Sequence, residues 1–413
     1  MHIVIVNRWP RFKEGSARWD NELVRYEDFF DHSRHRISYV VDALGAQGVL
    51  APQASIARLV KVGDVNNYDE LAGAVRDIVQ HVGPVDQLIA LSEFTLEIAA
   101  RVRQALGIPG HGPAEVAVYR DKARMKEVLA EKDIRVPAFA RCESVEQALR
   151  FADGASYPLI LKPVDGAASI GVVRIDSREE LQSQLRSVDL ARYEVEEFIE
   201  GEAYHVDGFA DSASAVAFQV VSQYVGSCLD FVSGSPLGSV IVQQSALRAR
   251  IEAFSSRCIA ALRLTTTPFH LELFVQADGS LVFLEVGARV GGSEVPHLLN
   301  KVFGVNLFKH WLQGMAGDAL PMPAKTGDPS GGWLVIPKPR ELPCRVDVAS
   351  PMKPRFRSIW RELLPAPGDI LEPGGSYDAL HSGRFIFTDR SQARTRADIL
   401  SVIESFEFKA TPL

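Results

Sequence analysis

Glu272 and Glu285 stand in the segment His270-Leu-Glu272-Leu-Phe274-Val-Gln-Ala-Asp278-Gly279-Ser-Leu-Val-Phe283-Leu-Glu285-Val-Gly287. Asp-Gly between alternating apolar residues is a strong short-range hairpin signal. A two-residue turn at Asp278-Gly279 sets Phe274 against Phe283 and Glu272 against Glu285. Directly opposed residues have Cβ atoms roughly 4.5–5.5 Å apart, where like charges repel. Such a pair calls for a protonated member, a slipped register that turns both groups to water, or a divalent cation between them. Hard carboxylate oxygens, completed by waters and phosphate oxygens, suit Mg²⁺. His270 falls on the same face, opposite Gly287, as a hydrogen-bonded structural histidine or as a further ligand.

Four more stretches carry chemistry. In Val286-Gly-Ala-Arg289-Val-Gly291-Gly292, Arg289 lies just past the second glutamate, where a guanidinium can steady a phosphoryl group or an oxyanion. Gly291 and Gly292 allow close backbone approach and offer N–H donors, or form an ordinary glycine turn. Tyr157-Pro-Leu-Ile-Leu-Lys162-Pro163 leads into a small-residue loop containing Gly166, Ala167 and Ser169, then a second strand. With no Gly-Lys-Ser/Thr it is not a Walker loop; it reads as a hairpin flap whose N–H groups cover phosphates. Lys122 opens a helix about forty residues earlier, a place where a lone lysine is commonly solvated. Glu194-Val-Glu196-Glu197-Phe198-Ile199-Glu200-Gly201 reads as an exposed acidic strand, or as one offering backbone groups to a purine and a carboxylate to a ribose.

The elements that must position these groups are legible in outline. Strands at Ile3–Val6, Ile37–Val41 and Gln87–Leu91, with a helical pattern over Thr95–Leu106, predict a parallel sheet covered by helices across residues 1–115. Ligands of such sheets bind beyond the strands' carboxyl ends, where Glu93 falls. As a helix-start glutamate, Glu93 has a second reading, favoured by the macrodipole alone. Residues 119–135, 251–261 and 298–315 read as helices, and 194–199 with 204–209 as strands around Gly201. Residues 321–373 hold 11 of the 23 prolines, which marks 321–413 as a separate C-terminal module. The divisions are thus 1–115, 116–192, 193–320 and 321–413.

Across 413 residues, 46% are hydrophobic and 23% charged, a globular composition that excludes a disordered chain, a collagen-like fibre or a coiled coil. The net charge of -7, with no basic block, speaks against nucleic acid or an anionic membrane as partner. No run approaches ~18 apolar residues, and the first apolar stretch is too short for a signal peptide. Cys142, Cys228, Cys258 and Cys344 form no CxxC pair and read as free thiols of a cytoplasmic protein.

Taken in this order, over about residues 85–315, the five constellations resemble the ATP-grasp superfamily. Tyr204-His-Val-Asp-Gly208, Glu285-Val-Gly-Ala-Arg-Val-Gly-Gly292 and the C-terminal segment make the chain similar to the L-amino acid ligases, which join amino acids into dipeptides. The resemblance implies an α/β fold: an N-terminal open parallel sheet domain, a two-lobed ATP-grasp core and a small C-terminal α+β module. It implies ATP and Mg²⁺, with Mn²⁺ as an alternative, amino-acid substrates, and the homodimer common in the family. Lys122 and Lys162 would contact phosphates under the 165–171 loop. Glu196, Glu197, Phe198 and Ile199 would border the adenine. Glu272 and Glu285 would hold the metal, and Arg289, Gly291 and Gly292 would meet the acyl phosphate and substrate carboxylate, with Glu93 facing the substrate amine. The chain departs from the pattern twice. Gly287 stands where the superfamily carries a metal-binding asparagine, and Ala203 where it carries a ribose-binding glutamate, a part left to Glu202 or Glu200. A ligase for a non-amino-acid carboxylate, or a non-catalytic ATP-binding regulator motivated by Gly287, are the other expectations.

Overall fold

The computed structural model describes residues 1–9, 20–167, 169–318, 321–323, 327–374 and 381–413, Asp20 and Asn21 by backbone alone. Ala168, inside the flap, lies outside the described residues. The uninterrupted apolar run Ile3–Val6 makes the strand His2–Asn7 buried along its whole length, as a strand covered on both faces must be. It pairs in parallel with Arg36–Val41 and Gln87–Ala90, and Ile56–Lys61 completes the sheet at the edge. Val4, Val6 and Val40 face the helices Tyr68–Val82 and Leu96–Leu106. On the opposite face Ile3, Ile5 and Tyr39 share one core with Val295, Leu298, Trp311 and Trp333 from the distal half of the chain.

A small antiparallel sheet follows, ordered Phe139–Arg141, Tyr193–Glu197, Leu159–Pro163, Val173–Ile175. Helices Val145–Asp153 and Arg178–Leu185 cover it. Ser144 and Ser177 cap them by accepting the N–H groups of Gln147 and Glu180. Because Tyr193–Glu197 is an inner strand of this sheet, the passage to the next lobe falls at Phe198–Gly201 and not at the expected 192–193 division.

The large sheet has eight strands in the order Leu281–Gly287, Thr267–Val275, Glu202–Ala210, Val216–Val225, Leu237–Ile241, Ser330–Ile336, Gly383–Asp389, Ile359–Leu363. Three of them come from the segment read as a separate C-terminal module, so its hydrogen-bond ladder continues that of the central strands. Among the described residues, only Cys344–Ala349, Ile370–Leu371 and Phe408–Pro412 form a small sheet of their own. The helical stretch 298–315 is two helices, Val295–Phe303 and Leu307–Met315, divided at Gly304 with φ 69° and restarted by the Asn306 cap. Among the described residues no helix is long and apolar enough to cross a membrane.

Candidate active site

The hairpin brings the two glutamates together by a different route from the one the sequence implies. Its turn spans three residues, Ala277 to Gly279, with Gly279 at φ 82° and Gln276 N–H donating to Ser280 O at 3.0 Å. Phe274 therefore faces Val282, not Phe283. A bulge at Leu284 restores the offset, and from there Glu272 faces Glu285 and His270 faces Gly287 as expected.

Each glutamate has its own counter-group. Glu272 Oε1 accepts from Tyr224 OH at 2.5 Å and lies 3.3 Å from His270 Nε2, while Lys122 Nζ is 3.1 Å from Glu285 Oε2. Burial would raise the Glu272 carboxyl, but the hydrogen bond and charge of His270, with Tyr224, bring it down to about 2. Burial would lower His270, but the Asp207 charge and hydrogen bond raise it to about 10. Asp207 itself is held far below the carboxylate range: the His270 and His205 charges outweigh its burial.

Both glutamates open into a cleft of about 640 Å³ between the small and large sheets. Its walls include Lys122, Lys162, Gly166, Ala167, Ser169, Glu196, Glu197, Phe198, Ile199 and Glu202, the nucleotide-site residues expected from the sequence. They also include Tyr224, Cys228 and Arg396, which sequence reasoning missed. The volume is within the ~300–1,000 Å³ range of small-molecule sites.

Lys162 and Glu196 belong to a buried network of four charges. Lys126 Nζ lies 2.8 Å from Glu194 and 2.5 Å from Glu196, and Lys162 Nζ lies 2.5 Å from Glu196. Burial pushes Lys162 down, but Glu196 and Glu194 overcome it and raise its pKa, which keeps the ammonium charged. Glu196 is thus engaged by two lysines, and Glu197 by Arg135, whose Nη2 is 2.8 Å from both carboxylate oxygens. Lys126 was missed although the signal exists: it sits four residues after Lys122 on one helix, hence on the same face.

The flap is tied at its base. Lys122 Nζ donates to Gly166 O at 2.5 Å, Arg120 Nη2 to Asp165 O at 2.9 Å, and Arg192 Nη2 to Asp165 Oδ2 at 2.7 Å. Ser169 and Gly171 take positive φ, and Ile170 between them is 69% exposed.

Glu93, Arg289, Gly291 and Gly292 are not among the cleft's lining residues and form a neighbouring cluster. Glu93 starts a short turn after the strand Gln87–Ala90, and its two oxygens meet Arg120 Nη1 at 2.5 Å and Arg289 Nε at 2.6 Å. Burial would raise this carboxyl, but the charges of Arg289 and Arg120 lower it to about 2. A Cβ at Gly287 would lie 3.3 Å from Arg289 Cγ and 3.5 Å from its Nε, so the glycine in the asparagine's usual place leaves room for this arginine. A Cβ at Gly291 would lie 2.3 Å from Asp207 Oδ1, so any side chain there would have to displace that buried carboxylate. Gly292 is exposed.

Residues 155–297 match the family model described as ATP-grasp domain. The chain is similar to the L-arginine-specific L-amino acid ligase of Bacillus subtilis, 25% identical over 327 residues, which cover 75% of this chain and 77% of that enzyme. It is 25% identical over 259 residues to an alanine–anticapsin ligase of Bacillus subtilis, spanning 56% of this chain and about half (55%) of that relative. Among solved structures, an L-amino acid ligase from Bacillus licheniformis superposes with a TM-score of 0.73 at 19% identity, covering 99% of this chain and 98% of that one. A carboxyaminoimidazole ribonucleotide synthase from Aspergillus clavatus complexed with ATP gives 0.69 at 12% identity, covering 98% and 99%.

Proposed function

We propose, from the ATP-grasp domain that this chain carries, that the protein is an ATP-dependent carboxylate–amine ligase joining L-amino acids, or an amino acid to a related amine. The observation that carries this reading is the opposed, half-buried pair Glu272 and Glu285 at the edge of a nucleotide-sized cleft that Lys122 and Lys162 also line, with the Glu93–Arg289 cluster next to it. The donor set fits a hard divalent cation: the contacts from Tyr224 and His270 both fall on Glu272 Oε1, which leaves Oε2 for another partner. Held by Glu272 and Glu285, Mg²⁺ would supply positive charge against the negative charge that develops during phosphoryl transfer.

The chain's own residues then divide the work. Glu272 and Glu285 hold the cation. Lys122 and Lys162 face the terminal phosphates from the cleft wall, and the flap with Gly166, Ala167 and Ser169 closes over them. Phe198 and Ile199, at the passage between lobes, flank the base, with Glu196 and Glu197 behind them and Glu202 toward the ribose. A substrate carboxylate oxygen attacks the γ-phosphorus and ADP leaves. The amine of the second substrate attacks the acyl carbon, and phosphate leaves from the tetrahedral intermediate. Arg289, with the Gly291 and Gly292 backbone, steadies the oxyanion. Glu93 aligns Arg289 and receives the substrate amine.

Support for amino acids as substrates comes from the relatives named as an L-arginine-specific L-amino acid ligase and an alanine–anticapsin ligase. A ligase acting on another carboxylate is the competing reading, since the fold also superposes on a ribonucleotide synthase. Screening pairs of amino acids for ADP and phosphate release decides between them. Oxygen-18 placed in the donor carboxylate is expected in the released phosphate. Its appearance in AMP, with pyrophosphate formed, would overturn the phosphoryl-transfer route.

A further inference from the structure

A chain of buried side chains runs behind the Glu272 carboxylate. Ser239 Oγ lies 2.6 Å from His205 Nε2, and His205 Nδ1 lies 2.6 Å from Asp207 Oδ2. Asp207 Oδ1 lies 2.8 Å from His270 Nδ1, and His270 Nε2 lies 3.3 Å from Glu272 Oε1. His205 and Asp207 are each 1% exposed. The strand register explains the line: His205 pairs with Glu272 and Asp207 with His270, so all four side chains share one face of the sheet.

Three of these residues offer ligand-type atoms within 4.8 Å of one another, which raises the question of a second cation site. The contacts answer it. Both Asp207 oxygens already receive a ring nitrogen, at 2.6 and 2.8 Å, so a cation there would have to displace both hydrogen bonds. His270 stands between two carboxylates, Asp207 at Nδ1 and Glu272 at Nε2. Asp207 therefore fixes the plane of the ring and the direction of Nε2, and Nε2 together with Tyr224 OH holds Glu272 Oε1.

We propose that Asp207 and His270 are positioning residues that orient the Glu272 carboxylate, holding Oε1 so that Oε2 is presented to the cation. The same pair abuts the turn after Arg289: a Cβ at Gly291 would come 2.3 Å from Asp207 Oδ1 and 3.1 Å from His270 Nδ1. The cation pair and the Arg289 turn are thereby set by one buried acid. Groups behind a first ligand commonly tune a site's affinity by about 10- to 100-fold.

This inference rests on the cation reading of Glu272 given above, so the test separates the two. Mn²⁺ binding is measured by electron paramagnetic resonance in the presence of a non-hydrolysable ATP analogue, on wild type, Glu272→Gln, Asp207→Asn and His270→Gln. Analogue binding without metal and the melting curve are recorded on the same samples. Asp207→Asn and His270→Gln are expected to weaken Mn²⁺ by about 10- to 100-fold with metal-free analogue affinity unchanged. A role confined to packing would lower the melting temperature and leave Mn²⁺ affinity of the folded protein alone. If Glu272→Gln loses Mn²⁺ while Asp207→Asn and His270→Gln bind it as wild type does, the positioning role is wrong and the cation site stands. If Glu272→Gln binds Mn²⁺ as wild type does, both readings fall. Should Asp207→Asn not fold, His270→Gln, which lacks the rigid ring that bridges Asp207 and Glu272, decides.

Discussion

Glu93 is held between two arginines, and this fixes how its contribution depends on pH. Its carboxyl titrates near 2 in the folded chain against an ordinary 4.5. The carboxylate's stabilisation is therefore complete above about pH 4.5 and drains away as pH falls toward 2. A displacement of that size corresponds to about 3 kcal/mol. Glu93→Gln is expected to lose on the order of 3 kcal/mol at pH 7 in urea unfolding, and the gap to wild type should narrow between pH 4.5 and pH 3. Gly287 supports a second expectation. An asparagine restored there would press on the Arg289 stem 3.3 Å away and move the guanidinium from Glu93. Gly287→Asn should lower kcat/KM by about 10- to 100-fold in a phosphate-release assay. A gain in rate would mean instead that the missing asparagine limits the site. The opposition of Glu272 and Glu285 was legible because an Asp-Gly turn and charged residues among apolar ones stand out. Lys126, Asp207 and Tyr224 were not, because each acts through a partner distant in sequence, as Lys126 does with Glu194 and Glu196.

Strands and loops set where those groups can go. The hairpin shows how far spacing alone reaches. Its Glu–Glu register follows from the alternation, yet the turn is one residue longer than Asp-Gly implies and the Leu284 bulge compensates. A bulge leaves no local mark in a run of Val, Phe and Leu, so it shows only in the folded hairpin. The flap is the element whose behaviour is most open to measurement. Its base is tied by Lys122, Arg120 and Arg192, while Ile170 is 69% exposed. Limited proteolysis is expected to cut within 164–172 in the free protein and to be suppressed by an ATP analogue with Mg²⁺, as a lid that excludes water requires. Equal cutting in both conditions would show that the loop does not close.

For the molecule as a whole, the proline-rich boundary near residue 321 was misleading. Proline-rich connectors do separate elements there, but the strands beyond them pair with the central ones. Sequence reading could not foresee this, since sheet neighbours so far apart in the chain share no local pattern. One buried ion pair ties the two parts: Arg384, from the strand Gly383–Asp389, meets Glu294 just after the Gly291–Gly292 turn, with both side chains fully buried. Arg384→Met should cost about 3–5 kcal/mol by leaving Glu294 without its counter-charge, read as a lower denaturant midpoint. Adding Glu294→Gln to that variant should recover part of the loss, because the stranded charge is removed.

The strand order also has a consequence for how the chain is made. Ser330–Ile336 is buried in the finished sheet between Leu237–Ile241 and Gly383–Asp389, yet the second of these neighbours is translated 46 residues later. At ~5–20 residues per second, the ribosome leaves the sheet with a bare edge on Ser-Gly-Gly-Trp-Leu-Val-Ile for about 2–9 s. A nascent edge of that composition invites pairing with another chain. The interval in which this protein most needs a chaperone thus falls after the strands that form the cleft have emerged.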